Sequence, residues 1–508
     1  MIKKCILLSL ALVFSMSSFV FAGKPIKTLT DIEQLGRSLY TDDNLSKFFN
    51  QSCKTCHHDY SGFADMSNLS NPDKNFTSLG SDDLSLGGRN APSAAYSGLS
   101  PILHWNDDDE LFIGGTFWDG RASGLKITNL GPTATGGLGD GPTGDPIADQ
   151  AKGPFLNPIE MALDSENTVV ARVFGSEYYD QYLAVYPTAA DQDVKVAYNN
   201  IAEAIAAFER SEMLEKFKSR FDLFVDELDA LGFTADQFGI ELVELIVEPE
   251  PFEFRKFVAP ADWLLTNTDG ATINDFSLSP AELTGLALFN SDSHTQLGVS
   301  EQPELAGARN GGMCYACHLT ENHDESQYGE LNKAPSKDYK PIFTDFSYDN
   351  LGVPINRTLD AYLMAVDPTK QGHVYDYGLG AQIEILQAVN LAAVVVVELP
   401  LNDWTDATIE VARDDAGKVK VPTLRNIAMT SPYAHNGFFS TLEHIVRFYN
   451  RRDILPVCTG AAGDIDGFNC YSEAEIPYNV NGSELGNLGL SDADENLIVD
   501  FMKSLTDE

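Results

Sequence analysis

Residues 51–60 read QSCKTCHHDY, and the Cys-x-x-Cys-His pentad at 53–57 decides the fold. Two thiols one helical turn apart can form thioethers with both vinyl groups of a haem, and the adjacent histidine then reaches the iron from the same face. A second pentad, CYACH, stands at 314–318. One copy alone could be a zinc or redox fragment. Two copies, with no other metal-type cysteine cluster in the chain, read as two covalently bound c-type haems. Cys53, Cys56, Cys314 and Cys317 are then the attachment points, and His57 and His318 the proximal iron ligands. What lies on the other face of each iron separates an electron carrier from an enzyme, because an open position can act on a small molecule.

The N-terminus, MIKKCILLSLALVFSMSSFVFAG, has the basic start, apolar run and Val20-Phe21-Ala22 cleavage site of a secretory signal peptide. Residues 1–22 are expected to leave, taking Cys5 with them. No later stretch approaches the roughly 18 apolar residues that span a bilayer. The expectation is a soluble periplasmic protein, with attachment to the outer surface left open. The 34 basic residues face 75 acidic ones, a net charge of −41, which argues against nucleic acid or anionic lipid as a partner. The acidity either steers a basic protein partner or keeps the surface solvated. Cys458 and Cys470, in a Gly/Asp-rich segment of an exported chain, read as a disulfide closing a short loop rather than as two free thiols.

The spacing of the pentads suggests two mainly α haem domains, at 23–190 and 278–508, joined over 191–277 by a helix (about 195–225) and an acidic insertion (226–276). The last segment can pack back on the first domain. A helix is expected over 41–57 and irregular chain over 75–120, while GPTATGGLGDGPTGDP at 131–146 reads as loop. Ser279-Pro280-Ala281-Glu282 combines a Ser N-cap, a Pro at the first helical position and a Glu at the third, which starts a helix. The final helix begins similarly at Ser491. A few short strands are expected near 389–422, where the chain is β-branched.

Six further stretches carry a resemblance. They are GGRNAPS (87–93), FWDGRA (117–122), QAKGPFLNPIEM (150–161), LTGLALFN (283–290), FTDFSYDNLGVP (343–354) and VPTLRNIAMTSPYAHNGFFSTLEHIVRFYN (421–450). In this order they resemble the bacterial dihaem cytochrome c peroxidase/MauG superfamily over nearly the whole mature length. The resemblance implies two cytochrome-c-like domains packed face to face, with a calcium ion between the haems. It implies that the first haem is peroxidatic, with Gln150, Pro154 and Glu160 building its distal pocket. A carboxylate there would take a proton from the near oxygen of H2O2 and return it to the departing one. It implies that Trp118 relays charge between the haems, and that the Asn90 side chain with the carbonyls of Thr430 and Pro432 would hold one Ca2+.

Two departures within the resemblance matter. Other members carry a resting distal histidine between the first pentad and the Arg-Asn motif. This chain has none between His58, which adjoins the proximal ligand, and Arg89-Asn90, while His104 comes later. The first haem is therefore expected to be open as made. Other peroxidases place a Met, counted from the histidine of the PYxH stretch (His435 here), where this chain has Tyr449, the MauG-like arrangement. Phenolate favours oxidised iron, although a tyrosine in TLEHIVRFYN could also be a core aromatic. The surface Trp that passes oxidation outward in MauG is replaced by Gly312, which implies a different exit. The leading expectation is a MauG- or MbnH-like enzyme that uses H2O2 to oxidise a Trp or Tyr of a partner protein. The alternative is reduction of H2O2 to water with electrons from a small cytochrome or cupredoxin.

Overall fold

Thr30 opens the first helix with a reciprocal cap, its hydroxyl accepting from the Glu33 amide while the Glu33 carboxylate accepts from the Thr30 amide. Ser279 and Glu282 do the same for the helix that precedes the second pentad. The computed structural model describes residues 28–106, 109–125, 143–188, 193–230, 276–293, 295, 310–319, 340–366, 374–383, 414–458 and 470–508. The expected signal peptide, most of the acidic insertion, the 131–142 part of the loop and the β-branched 389–413 stretch lie outside these residues.

The helices in the first half of the chain are α1 (Asp31–Tyr40), α2 (Cys53–Cys56), α3 (Met66–Ser70), α4 (Pro146–Leu156), α5 (Glu166–Phe174), α6 (Tyr179–Val185) and α7 (Val194–Glu209). After them come α8 (Arg220–Ala230), α9 (Pro280–Phe289), α10 (Arg357–Val366), α11 (Leu442–Arg451) and α12 (Asp492–Lys503). The fold is mainly α, as expected. Among the described residues two antiparallel ladders accompany the helices: β1 (His104–Asn106) with β2 (Leu111–Ile113), and β3 (Tyr348–Asp349) with β4 (Val419–Lys420). The first of these falls in a stretch expected to be irregular.

Each haem-binding half uses the same crossing of two helices. In α1 the run Glu33-x-x-Gly36-x-x-Leu39-Tyr40 has the spacing of Glu282-x-x-Gly285-x-x-Leu288-Phe289 in α9. A Cβ on Gly36 would lie 1.9 Å from the Ala204 carbonyl oxygen of α7, and one on Gly285 1.9 Å from the Leu497 carbonyl oxygen of α12. Only glycine allows so close an approach. Beside each crossing an aromatic pair meets edge to face, Tyr40 with Phe208 at 5.2 Å and Phe289 with Phe501 at 5.3 Å between centroids.

The two cores follow from this duplication. One gathers the buried faces of α1, α4, α5, α6 and α7; the other gathers α8, α9, α11 and α12. The connecting helix expected over 195–225 is two helices with different allegiances. α7 is the spine of the N-terminal core, while Phe221 and Phe224 of α8 pack with Phe343 and Phe501 in the C-terminal one. The helix expected over 41–57 is also not continuous. Asp42 and Ser46 turn their side-chain oxygens onto the amides of Asn44, Asn50 and Gln51, so this stretch coils until Cys53.

Two contacts tie the halves together. Buried Arg425 pairs with Asp222 at 2.7 Å and lies over the rings of Tyr96, Phe217, Phe221 and Phe343. Near the C-terminus, Asp507 accepts from the Tyr96 hydroxyl and the Lys218 amide, so the last residues fold back on the first domain. Cys458 and Cys470 are joined in a disulfide, with 5.0 Å between their Cα atoms. Among the described residues no helix is long and apolar enough to cross a membrane.

Candidate functional site

The two pentads are held alike. His57 Nδ1 lies 3.1 Å from the Phe63 carbonyl oxygen, and His318 Nδ1 lies 2.9 Å from that of Phe343. A ring that donates from Nδ1 keeps its Nε2 lone pair for a metal. Burial lowers the pKa of both rings, that of His318 to about 4, against the opposing pull of nearby backbone carbonyls. Both are thus kept as the neutral imidazoles that iron requires.

Both pentads open onto one cavity of about 610 Å3. Its walls include every residue expected at the haem and calcium sites: Cys53, Cys56, His57, Asn90, Trp118, Gln150, Pro154 and Glu160, with Cys314, Cys317, His318, Thr430, Pro432 and Tyr449 from the second half. Only the disulfide pair lies elsewhere. Neither His58 nor His104 lines it. His58 Nδ1 accepts from the Tyr60 amide, and His104 Nδ1 sits 2.8 Å from the Ile102 carbonyl oxygen. The duplicated thiol pairs, the neutral histidines and the apolar walls fit two covalently attached haems.

Glu160 stands at the first-pentad end, near enough that its charge adds to the rise burial gives the Cys53 and Cys56 thiols. It follows α4, the helix that carries Gln150 and Pro154. Burial raises the Glu160 pKa, while Arg121 and a 2.9 Å hydrogen bond donated by Asn157 Nδ2 pull it back. Arg121 is itself fixed, with its guanidinium 3.7 Å from the Phe117 ring centroid and 3.0 Å from Asp119. The sequence reading passed over Arg121, although it closes the FWDGR stretch that supplied Trp118.

Trp118 is fixed within its own half by its ring and reaches the second half through its backbone. Its Nε1 donates to the Asn90 carbonyl oxygen at 2.8 Å, and its own carbonyl accepts from the Lys420 amide at 2.8 Å. Lys420 was also missed. Its buried ammonium donates to the carbonyls of Gly114 and Phe346 at 3.2 and 3.1 Å, and burial lowers its pKa to about 7 against the charge of Asp345. Arg89 clamps the same interface, reaching Asp119 at 2.7 Å and Asp376 at 2.6 Å. Asn90 Nδ2 lies 2.7 Å from the Pro432 carbonyl oxygen. Rotating that amide would present Oδ1 instead, which with two backbone carbonyls makes a donor set that suits a hard cation.

At the second-pentad end, Tyr449 projects from α11, whose first turn is capped by Thr441. Burial pushes its phenol above the usual range, with the Cys317 and Cys314 sulfurs and Asp349 adding to the shift and Arg452 opposing it. Asp349 and Glu484 are held together by Asn481, whose Nδ2 donates to each at 2.6 Å.

Duplicated haem-attachment loops around one cavity, with a buried carboxylate at one end and a tyrosine at the other, define a dihaem c-type oxidoreductase. Residues 30–230 match the family described as di-haem cytochrome c peroxidase. The chain is 26% identical over 487 residues to the methylamine utilization protein MauG of Paracoccus denitrificans, covering 93% of this chain and 88% of that protein. To a cytochrome c551 peroxidase of Pseudomonas aeruginosa it is 30% identical over 205 residues, covering 40% of this chain and 44% of that one. In fold it is similar to the diheme peroxidase BthA of Burkholderia thailandensis, with a TM-score of 0.58 at 23% identity over 95% of this chain and 87% of that one. It is also similar to a MauG-like protein associated with microbial copper homeostasis, with a TM-score of 0.50 at 20% identity over 98% of this chain and 96% of that one. The match over residues 30–230 and the likeness to MauG over 93% of the chain make it similar to the bacterial dihaem cytochrome c peroxidase/MauG superfamily, and it is a dihaem enzyme of the peroxidase class.

Proposed function

We propose that this periplasmic enzyme uses H2O2 at the first haem to oxidise a Trp or Tyr of a partner protein. The observation that carries the reading is that Glu160, close to Cys53 and Cys56, and Tyr449, close to Cys314 and Cys317, line one cavity together with Trp118. Cys53, Cys56 and His57 would hold one haem, and Cys314, Cys317, His318 and Tyr449 the other. Bound there, the haems supply the redox chemistry. Glu160 accepts the proton of the near peroxide oxygen and delivers it to the far one, so the oxygen–oxygen bond breaks without a free hydroxide leaving. Gln150 and Pro154 shape the wall over that position. Tyr449 loses its phenolic proton on ligation, which favours the oxidised form of its site. Trp118, hydrogen-bonded to the Asn90 carbonyl, divides the path between the sites. Asn90, Thr430 and Pro432 would hold Ca2+ where the halves meet. The absence of a histidine between His58 and Arg89-Asn90 in the sequence supports reactivity without prior reduction.

The test is to mix the as-isolated diferric protein with one equivalent of H2O2 and no reductant, following Soret and near-infrared absorption together with EPR. We expect a long-lived oxidised state with both ferric signals lost. Reaction only after one haem is reduced would instead indicate a peroxidase that turns H2O2 to water with electrons from a small cytochrome or cupredoxin.

A further inference from the structure

The second pentad carries an aromatic residue that the proposed chemistry does not yet use. Tyr315 lies between Cys314 and Cys317, next to one thioether position in the chain. It is half-buried, and its hydroxyl donates to Asp292 Oδ1 at 2.5 Å. The pair is rigidly mounted. Asp292 lies just beyond the end of α9, where its carbonyl accepts from the Gly311 amide at 2.8 Å and the neighbouring Ser291 carbonyl accepts from the Met313 amide at 3.0 Å. Gly312 sits tightly there: its amide donates to the Leu288 carbonyl oxygen, and an added Cβ would lie 3.0 Å from the Ile498 side chain. Tyr315 is the oxidisable side chain that the attachment loop itself carries, half-buried between two cysteines that line the cavity.

We infer that Tyr315 and Asp292 form the proton-coupled exit relay, through which electrons from the partner's residue enter the protein. This rests on the function proposed above. A phenol becomes a strong acid when it loses an electron, so its oxidation needs a base in contact, and a charge-assisted hydrogen bond to a carboxylate provides one. Tyr315 gives one electron towards the second haem and its proton to Asp292, leaving a neutral tyrosyl radical and a protonated carboxyl. One electron from the partner's residue, with the proton returned by Asp292, restores the pair. The oxidant is peroxide, consumed at the first haem, and two passages of one electron balance each H2O2 reduced to water.

The test uses the full dihaem protein with ring-deuterated tyrosine, oxidised in parallel by H2O2 and by hexachloroiridate(IV), which needs no open iron. The expected result is an organic EPR signal narrowed by the label, present with either oxidant and lost in Tyr315→Phe. In Asp292→Asn, which keeps a hydrogen-bond acceptor but removes the base, the signal should form at least about a hundredfold more slowly while the haem spectra stay unchanged. An unaltered tyrosine signal in Tyr315→Phe, or an unaltered rate in Asp292→Asn, overturns the relay and leaves the pair as a clasp for the loop. Failure with peroxide but success with hexachloroiridate would overturn the proposed peroxide chemistry and keep the relay. Failure to trap a labelled signal with either oxidant overturns the relay.

Discussion

Replacing Glu160 with Gln tests the peroxide chemistry most directly, because the change is nearly isosteric. The amide oxygen can still accept from Asn157 Nδ2, the contact that holds the carboxylate at 2.9 Å, so the pocket should keep its shape. What disappears is the ability to take a proton. Positioned acid–base catalysis is worth about a hundred- to ten-thousandfold, and the second-order rate with H2O2 should fall by that factor in stopped-flow absorption. The pH profile adds a check on the cause. Burial raises the Glu160 pKa above the ordinary 4.5, and only the ionised carboxylate can act as the base. The wild-type rate should therefore fall as pH drops through a value above 4.5, and the Gln variant should lack that limb. Arg121 opposes the rise, so Arg121→Gln should move the limb further up. A Glu160→Gln enzyme that reacts within a few fold of wild type, with the limb intact, would refute the assignment.

Three other perturbations probe different parts. Tyr449→Phe should change the EPR signal of the second haem alone and shorten the lifetime of the peroxide-generated state; no change in either would return Tyr449 to the role of a core aromatic. Gly285→Ala forces a Cβ to 1.9 Å from the Leu497 carbonyl oxygen and should cost about 1–3 kcal/mol or more, lowering the Tm, whereas Gly88→Ala, which meets nothing within 4 Å, should leave it unmoved. Burial pushes the Glu215 carboxyl up to about 8 from 4.5, against the pull of Arg210, and one of its oxygens has no hydrogen-bond partner among the described residues. The unfolded chain releases this proton first, so the group should erode stability as pH rises from about 4.5 to about 8. Glu215→Gln should flatten denaturation midpoints measured across that window.

The haem chemistry was legible because its signals are local. A pentad places two thiols and an imidazole within one turn of chain, and a Ser-Pro-x-Glu start encodes its own cap. The structure brings Trp118, Glu160 and Tyr449 to one cavity wall from three distant stretches, and the sequence reached them only through motifs. Lys420 and Arg121 stand inside or beside those motifs but carry no signal of their own in the chain, since their roles depend on carbonyls and rings contributed from elsewhere. The helix expected over 41–57 failed for the opposite reason. Its residues can be helical, but Asp42 and Ser46 offer the backbone a competing partner, and periodicity does not count such bonds. The repeat of Glu-x-x-Gly-x-x-Leu-aromatic in α1 and α9 was visible in the chain, yet its meaning, a glycine under a crossing helix, needs the partner helix to be seen.

That repeat also explains how one chain can divide two tasks between two similar sites. α7 and α12 cross α1 and α9 in the same way, and the proximal histidines are held by equivalent carbonyls, so the two halves differ little on the proximal side. The helix packed against the crossing helix is what changes: α4 against α7 in one half, α11 against α12 in the other. α4 presents Gln150 and Pro154 to the cavity, with Glu160 just beyond, and neither the amide nor the proline ring is an iron ligand of choice. α11 presents Tyr449, an oxygen donor that binds once deprotonated. On the function proposed above, an open site and a site closed by Tyr449 would require no difference in the haem-binding scaffold, only a different side chain on one covering helix. By the same reasoning, exchanging ligands on α11 should retune the second site without disturbing the first, because α4 and α11 belong to separate cores.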